Sequence, residues 1–311
     1  MIIYNMTAKK KLTSLEEIID QQAIYFVIGE YKERENLQKK FHFHDYQEQK
    51  ETLDQMIHFQ IYENFDFVSL LYLDLQDEEF THSKLNLYLG EQALVVLTDD
   101  VQGMEKTLNK EIKECLDDIF IGREKINHLY YHIFHSVLHE MFIKLEDFEA
   151  ILLAKEDALM KKVQKDEFPT LIALKRTANE IKRNMRLLAY VSDEILANDG
   201  GSLLESDINL FKSINIRTKK MYEFSVSLLE TSMHLLTVYD SKIAEQTNAF
   251  MNTFTVITMF LTPLTFISSL YAMNFIGTPI LKFDFGIILF LVACFLVLSL
   301  TTFILRRNKW I

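Results

Sequence analysis

The chain predicts an α+β cytoplasmic domain followed by a long stalk helix and two C-terminal transmembrane helices. Short β-rich runs are confined to the region before about residue 100. Gly and Pro then almost vanish: Gly122, Pro169 and the pair Gly200-Gly201 are the breaks between residue 104 and the apolar C-terminal region. Finally, Gln246 to Leu281 and Phe285 to Leu305 carry no formal charge. A helix of ~20 such residues crosses ~30 Å of hydrocarbon.

Taken in order, Ala23–Ile28, Phe67–Leu73, Lys84–Leu89 and Ala93–Leu97 read as strands, with Gly90-Glu91-Gln92 as a hairpin loop and one polar helical stretch among them. Three long helices fit the region from residue 104 onward. In the last of them Ile214, Met221, Leu228 and Leu235 recur every seven residues, and Thr218, Ser225 and Ser232 fall four after the first three. That seam of apolar and small polar side chains fits a neighbouring helix. No helix breaker occurs from Ser202 to Thr262, so the stalk is expected to enter the first span as one rod of roughly 90 Å. Pro263 follows within the membrane, where a kink is tolerated. The expected organisation is a domain over 1–200, stalk 202–248, first span 249–270, extracytoplasmic loop 271–284, second span 285–305 and basic tail 306–311. The alternative for the apolar runs is a buried helix pair in a soluble protein, but the second run is apolar on every face, unlike a surface helix.

Charge narrows the function classes. Residues 1–245 hold 29 bases against 43 acids, a net −14, which excludes a nonspecific nucleic-acid grip by that part. The start, Met1-Ile2-Ile3-Tyr4-Asn5-Met6, lacks the pattern of a signal peptide. Arg306, Arg307, Lys309 and Trp310 form a basic, interfacial flank after the last span. Both termini are therefore expected on the cytoplasmic side of the plasma membrane. Cys115 and Cys294 provide neither a disulfide framework nor a zinc spacing.

Asn248, Asn252, Thr255, Thr258, Thr262, Thr265 and Ser269 are spaced three or four apart and lie on one side of the first-span helix. Lipid has no use for a continuous polar line, so it faces other helices or water. Hydroxyls that bond their own backbone and glue helices together are the competing explanation. A water-filled axis lined by one helix per chain requires several copies of the chain around it. Met251 and Phe254, beside Asn248, could form an apolar constriction. Elsewhere, His128, His132, His135 and His139 share one helix face and are followed by Glu140, a spacing that could hold zinc or nickel, or simply form a histidine face between helices. His42 and His44 are a weaker pair of the same kind. No phosphate loop, nicotinamide fingerprint or nucleophile with a base is present, so neither an enzyme nor a cofactor is expected.

The run Pro263-Leu264-Thr265-Phe266-Ile267, the segment Tyr271-Ala272-Met273-Asn274-Phe275 and the final Lys309-Trp310 resemble the CorA family of magnesium transporters, most specifically over residues 205–311. The resemblance implies a CorA-like funnel of five chains, a cation channel with Asn274 of each subunit ringing the outer mouth and Asn248, Met251 and Thr265 along the pore. Tyr271, Ala272, Met273 and Asn274 would form the selectivity loop. The transported ion would be magnesium, with cobalt, nickel and zinc as alternatives, entering under the membrane potential. A zinc-transporting branch of the superfamily, and a membrane-anchored scaffold or sensor that no longer conducts, are the other readings. The chain departs from the family pattern at Ala272, where the signature has Gly. Thr262 and Phe254 stand where Met and Leu are expected, the outer loop has Asp284 as its single acid, and Lys212-Ser213 occupies the stalk position expected to be acidic.

Overall fold

The computed structural model describes residues 1–20, 22–43, 57–76, 79–117, 119–163, 165–201, 203–273 and 286–307. These form two compact units, Met1–Leu236 and Thr237–Ile311. In the first unit β1 (Ile2–Asn5), β2 (Lys10–Leu12), β3 (Tyr25–Gly29), α1 (Arg34–Phe41), β4 (His58–Ile61), β5 (Phe65–Gln76), β6 (Glu79–Gly90) and β7 (Ala93–Thr98) precede α2 (Val101–Thr107), α3 (Asn109–Leu116), α4 (Glu124–Lys161) and α5 (Phe168–Ala197). Helix α6 (Ile208–Ala272) runs from the first unit into the second, and α7 (Gly286–Arg307) completes the second.

The seven strands form one sheet in the order β2-β1-β3-β7-β6-β5-β4, antiparallel except for the parallel pair β3 and β7. Both faces of the central strands are buried, which is why Phe26, Val27, Ile28 and Leu94, Val95, Val96 read as continuous apolar runs rather than alternating ones. One face gathers Tyr25, Val27, Phe65, Phe67, Tyr88 and Val95 with Leu37 of α1. Phe43 is the keystone of that layer, stacked on Tyr88 at 5.6 Å and packed on Phe65 at 4.7 Å.

All four expected strands form; β5 and β6 extend well beyond the expected runs as a long antiparallel pair, and Glu91 and Gln92 turn β6 into β7. Strands β1, β2 and β4 were not foreseen. Each is four residues or fewer, too short to show a period, and each exists because a neighbour in the sheet supplies its hydrogen bonds.

The long helix opens at Ile208 rather than at Ser202. The cause is a local tie: Asn198 caps α5 in the left-handed conformation, and its amide both donates to the Leu203 carbonyl, 3.0 Å, and accepts from the Leu203 N–H, 2.8 Å. Gly201 at φ +64° completes the reversal. Asp207 then opens the new helix, its carbonyl accepting from Leu210 and Phe211 while its carboxylate receives the Asn127 amide of α4 at 2.8 Å.

The heptad seam is buried as its spacing implies. Ile214, Thr218, Met221, Ser225, Leu228, Ser232 and Leu235 are all buried. Its hydroxyls are satisfied locally, Ser225 to the Tyr222 carbonyl and Ser232 to that of Leu229, while Thr218 also meets Ser192 of α5 at 2.7 Å. Leu228→Ala is expected to lower unfolding stability by about 2–5 kcal/mol, the cost of emptying a packed leucine site. Met233→Ala, at a half-exposed site of the same helix, is expected to change it by about 0.5 kcal/mol or less. Thermal unfolding of the full chain in detergent, followed by circular dichroism, measures both.

Candidate functional site

In the second unit α6 remains helical through Pro263 to Ala272. The Pro263 ring removes one amide donor, the one that would otherwise bond the Met259 carbonyl. Asn248, Asn252, Thr255, Thr258, Thr262, Thr265 and Ser269 all fall within this continuous helix. At 100° per residue they occupy an arc of roughly 140°, one side of the cylinder. Apolar Phe250, Ile257 and Leu261 supply much of the remaining surface and are exposed in the single chain, as are Met251, Phe254 and Phe266. No part of the apolar window of either α6 or α7 is buried within the chain. Such a surface is stable only against lipid or other protein.

Three hydroxyl hydrogens of the line have local destinations. Thr255 donates to the Met251 carbonyl, Thr258 to that of Phe254 and Thr265 to that of Leu261, each at 2.8 Å. This is the four-residue back-bond expected of threonine in a membrane helix. It does not consume the oxygen lone pairs, which remain available to a water or to a neighbouring helix.

Ala272 is the last residue of α6 and does not adopt a positive φ. The Met273 N–H still donates to the Ser269 carbonyl at 3.1 Å. A β-carbon at this position therefore carries no backbone strain, and the exchange of Gly for Ala favours the helical end by about 1 kcal/mol. The backbone of Tyr271 lies in the same final turn. Asn274, Asp284, Lys309 and Trp310 lie outside the described residues, as does His44.

The four histidines of α4 do not converge. His128 and His132 have ring centroids 4.4 Å apart and His132 and His135 6.3 Å apart, a procession along the helix instead of a cage. Among the described residues no group of three or more His, Cys, Asp or Glu is placed to hold a metal ion. Sequence reading missed what His128 and His132 do face: Glu114 and Glu111 of α3, each 3.6 Å away. Those carboxylates are three residues apart on a short helix, and only the packing of α3 on α4 reveals the pairing. On the stalk, Lys212 is exposed and the Ser213 hydroxyl bonds the Leu210 carbonyl at 2.6 Å.

Comparison with known proteins decides the family. The family model described as CorA-like Mg2+ transporter protein matches residues 21–307. This chain belongs to the CorA-like family. The match takes in the α/β body as well as the C-terminal half, where the sequence resemblance had been most specific. Among curated relatives, the cobalt/magnesium transport protein CorA of Thermotoga maritima is 23% identical over 263 residues, covering 81% of this chain and 72% of that protein. That of Methanocaldococcus jannaschii is 22% identical over 260 residues, covering 80% and 78%. The complete structure of the CorA magnesium transporter from Methanocaldococcus jannaschii superposes with a TM-score of 0.80 at 18% identity, covering 97% of this chain and 95% of that one. The order of α+β domain, long helix and C-terminal apolar helix is thus that of the full-length CorA fold.

If the polar side of α6 borders water, cysteines placed at Thr258 and Thr262 should react with a charged, membrane-impermeant thiosulfonate at least about tenfold faster than one placed at Phe260, half a turn away. Mass spectrometry of each substituted peptide in proteoliposomes reads the difference.

Proposed function

We propose that this chain is the subunit of a CorA-type channel that admits divalent cations, magnesium foremost, down the membrane potential. The observation that carries the reading is the amide and hydroxyl line from Asn248 to Ser269 on a largely apolar stretch of α6 in a CorA-like chain. A hydrocarbon environment penalises such a line unless it meets water or protein. One helix cannot enclose an axis, and five copies around it would place Asn248, Met251, Asn252, Thr255, Thr258, Thr262, Thr265 and Ser269 along the passage. Tyr271, Ala272, Met273 and Asn274 would form the outer mouth, with both chain termini in the cytoplasm.

Magnesium gives up its six waters reluctantly. A ring of Asn274 carbonyl oxygens would accept hydrogen bonds from those waters without removing them. Back-bonded threonines below it would offer the same kind of acceptor, since their protons are already committed. No fixed charge at the passage is required: an inside-negative potential favours entry of a divalent ion by about 4.6 kcal/mol per 100 mV. Met251 and Phe254 form the apolar narrowing that would close by losing its water. Cobalt, nickel and zinc, with similar charge and hydrated size, are the competing cargoes. The relatives' names support magnesium and cobalt.

Expression in cells lacking their own magnesium transporters is expected to restore growth at low magnesium and to allow magnesium uptake. Asn274→Ala should reduce that uptake at least about tenfold, the loss of roughly 1.4 kcal/mol or more of selective stabilisation. Ala272→Gly should change it in the direction of greater flux by relaxing the helical end. Absence of uptake with the protein present in the membrane would leave a non-conducting scaffold as the better description, uptake indifferent to both substitutions would place the selective ring elsewhere, and uptake of zinc without magnesium would reassign the cargo.

A further inference from the structure

His128 and His132 occupy a setting that the transport reading does not use. Both lie on α4, with side chains 12% and 28% exposed. The Phe120 ring covers His128 at 3.9 Å between centroids. Across the helix pair, Glu114 Oε2 stands 3.6 Å from His128 Nε2, and Glu111 Oε1 stands 3.6 Å from His132 Nδ1. These gaps are too long for hydrogen bonds. His128 Nε2 and Glu111 Oε2 are in fact buried without a hydrogen-bond partner. Imidazoles and carboxylates face each other without hydrogen bonds, so at neutral pH the contact is one of packing, including the Phe120 ring on His128.

We propose that His128 and His132, faced by Glu111 and Glu114, form an acid-labile joint that holds α3 and the turn at residues 119–123 against α4 at neutral pH and releases them on acidification. Every charged or titratable neighbour bears on the balance. From α3, Glu111 and Glu114 favour the imidazolium while Lys110, itself 3.6 Å from Glu114, opposes it. Along α4, His132 opposes protonation of His128, His135 is opposed by His132 and His139, and the Tyr131 ring lies 5.1 Å from His132. From α6, Arg217 opposes protonation of His135. The turn contributes the uncharged Phe120 ring. Burial outweighs the two carboxylates and holds His128 and His132 below the ordinary histidine value.

The sign follows from linkage. An unfolded or opened segment takes up protons near pH 6.5, the ordinary value for histidine, whereas the closed joint resists them until lower pH. Its stability is therefore fully present above about pH 6.5 and is lost as pH falls toward the lowered values of the closed state. Removing the carboxylates would deepen that loss, because they are what partly supports the imidazolium.

The joint contains its own reporter. Cys115 of α3 is fully buried, its thiol donates to the Lys125 carbonyl of α4 at 3.6 Å, and burial pushes its pKa up to about 12. It should react only when α3 leaves α4. In the full chain in detergent, labelling of the Cys115 peptide by 4,4′-dithiodipyridine, read by mass spectrometry, is compared between native protein and His128→Gln/His132→Gln at each pH. The ratio of native to variant rates cancels the ordinary titration of the thiol. It is expected near unity at pH 7.5 and to rise about tenfold by pH 5.5, the equivalent of one unit of histidine shift. Glu111→Gln/Glu114→Gln should label faster than native at pH 5.5 while matching it at pH 7.5, which tests the joint independently if the histidine variant folds poorly. A ratio that stays flat with pH, or carboxylate removal that slows labelling at pH 5.5, overturns the proposal. Zinc or nickel that protects Cys115 in native protein and abolishes the acid response also overturns it, in favour of a metal clamp.

Discussion

A hydroxyl or carboxamide inside a bilayer must find a partner that hydrocarbon does not provide. That constraint organises the C-terminal unit. Threonines of α6 meet it in part by donating to their own backbone, which disposes of each hydrogen but leaves oxygen lone pairs on one side of the helix. A helix carrying that many acceptors along one side and apolar side chains around the rest is incomplete as a single chain. Assembly with copies of itself around water would satisfy both sides at once, and it would create a lining suited to an ion that keeps its hydration shell.

The N-terminal unit meets a different constraint, because its long helices must stay in register beside a sheet buried on both faces. Apolar residues of α6 recur with small hydroxyl residues between them, so that close approach is combined with satisfied hydrogen bonds. Large side chains at the hydroxyl positions would push the helices apart. The Asn198 tie and the Asn127–Asp207 contact then fix where α6 begins and how it sits on α4. Polar side chains are used here at boundaries, where they determine direction, and the apolar area supplies the stability.

Ala272 shows how a departure from a family signature can be compatible with the local backbone. Glycine is required only where the chain enters the left-handed region or where a β-carbon would collide. Ala272 ends α6 as an ordinary helical residue, so the altered motif changes helix stiffness next to Asn274 without imposing strain. The histidines of α4 give the contrasting case. Their spacing is compatible with metal ligation, yet their partners are a phenylalanine from the preceding turn and two glutamates from α3.

Periodicity and charge alone determined the two apolar runs, the polar line of α6, the heptad seam and the four central strands, while short motifs carried the family resemblance, because each is written in residues close together in sequence. Packing decided the rest. Strands β1, β2 and β4 draw their hydrogen bonds from partners elsewhere in the sheet, and the start of α6 depends on the Asn198 side chain folding back over a six-residue turn. The facing of Glu111 and Glu114 toward His132 and His128 likewise arises only when α3 lies on α4. A local pattern fixes which side of an element is polar or apolar, but what stands opposite that side is a property of the folded chain.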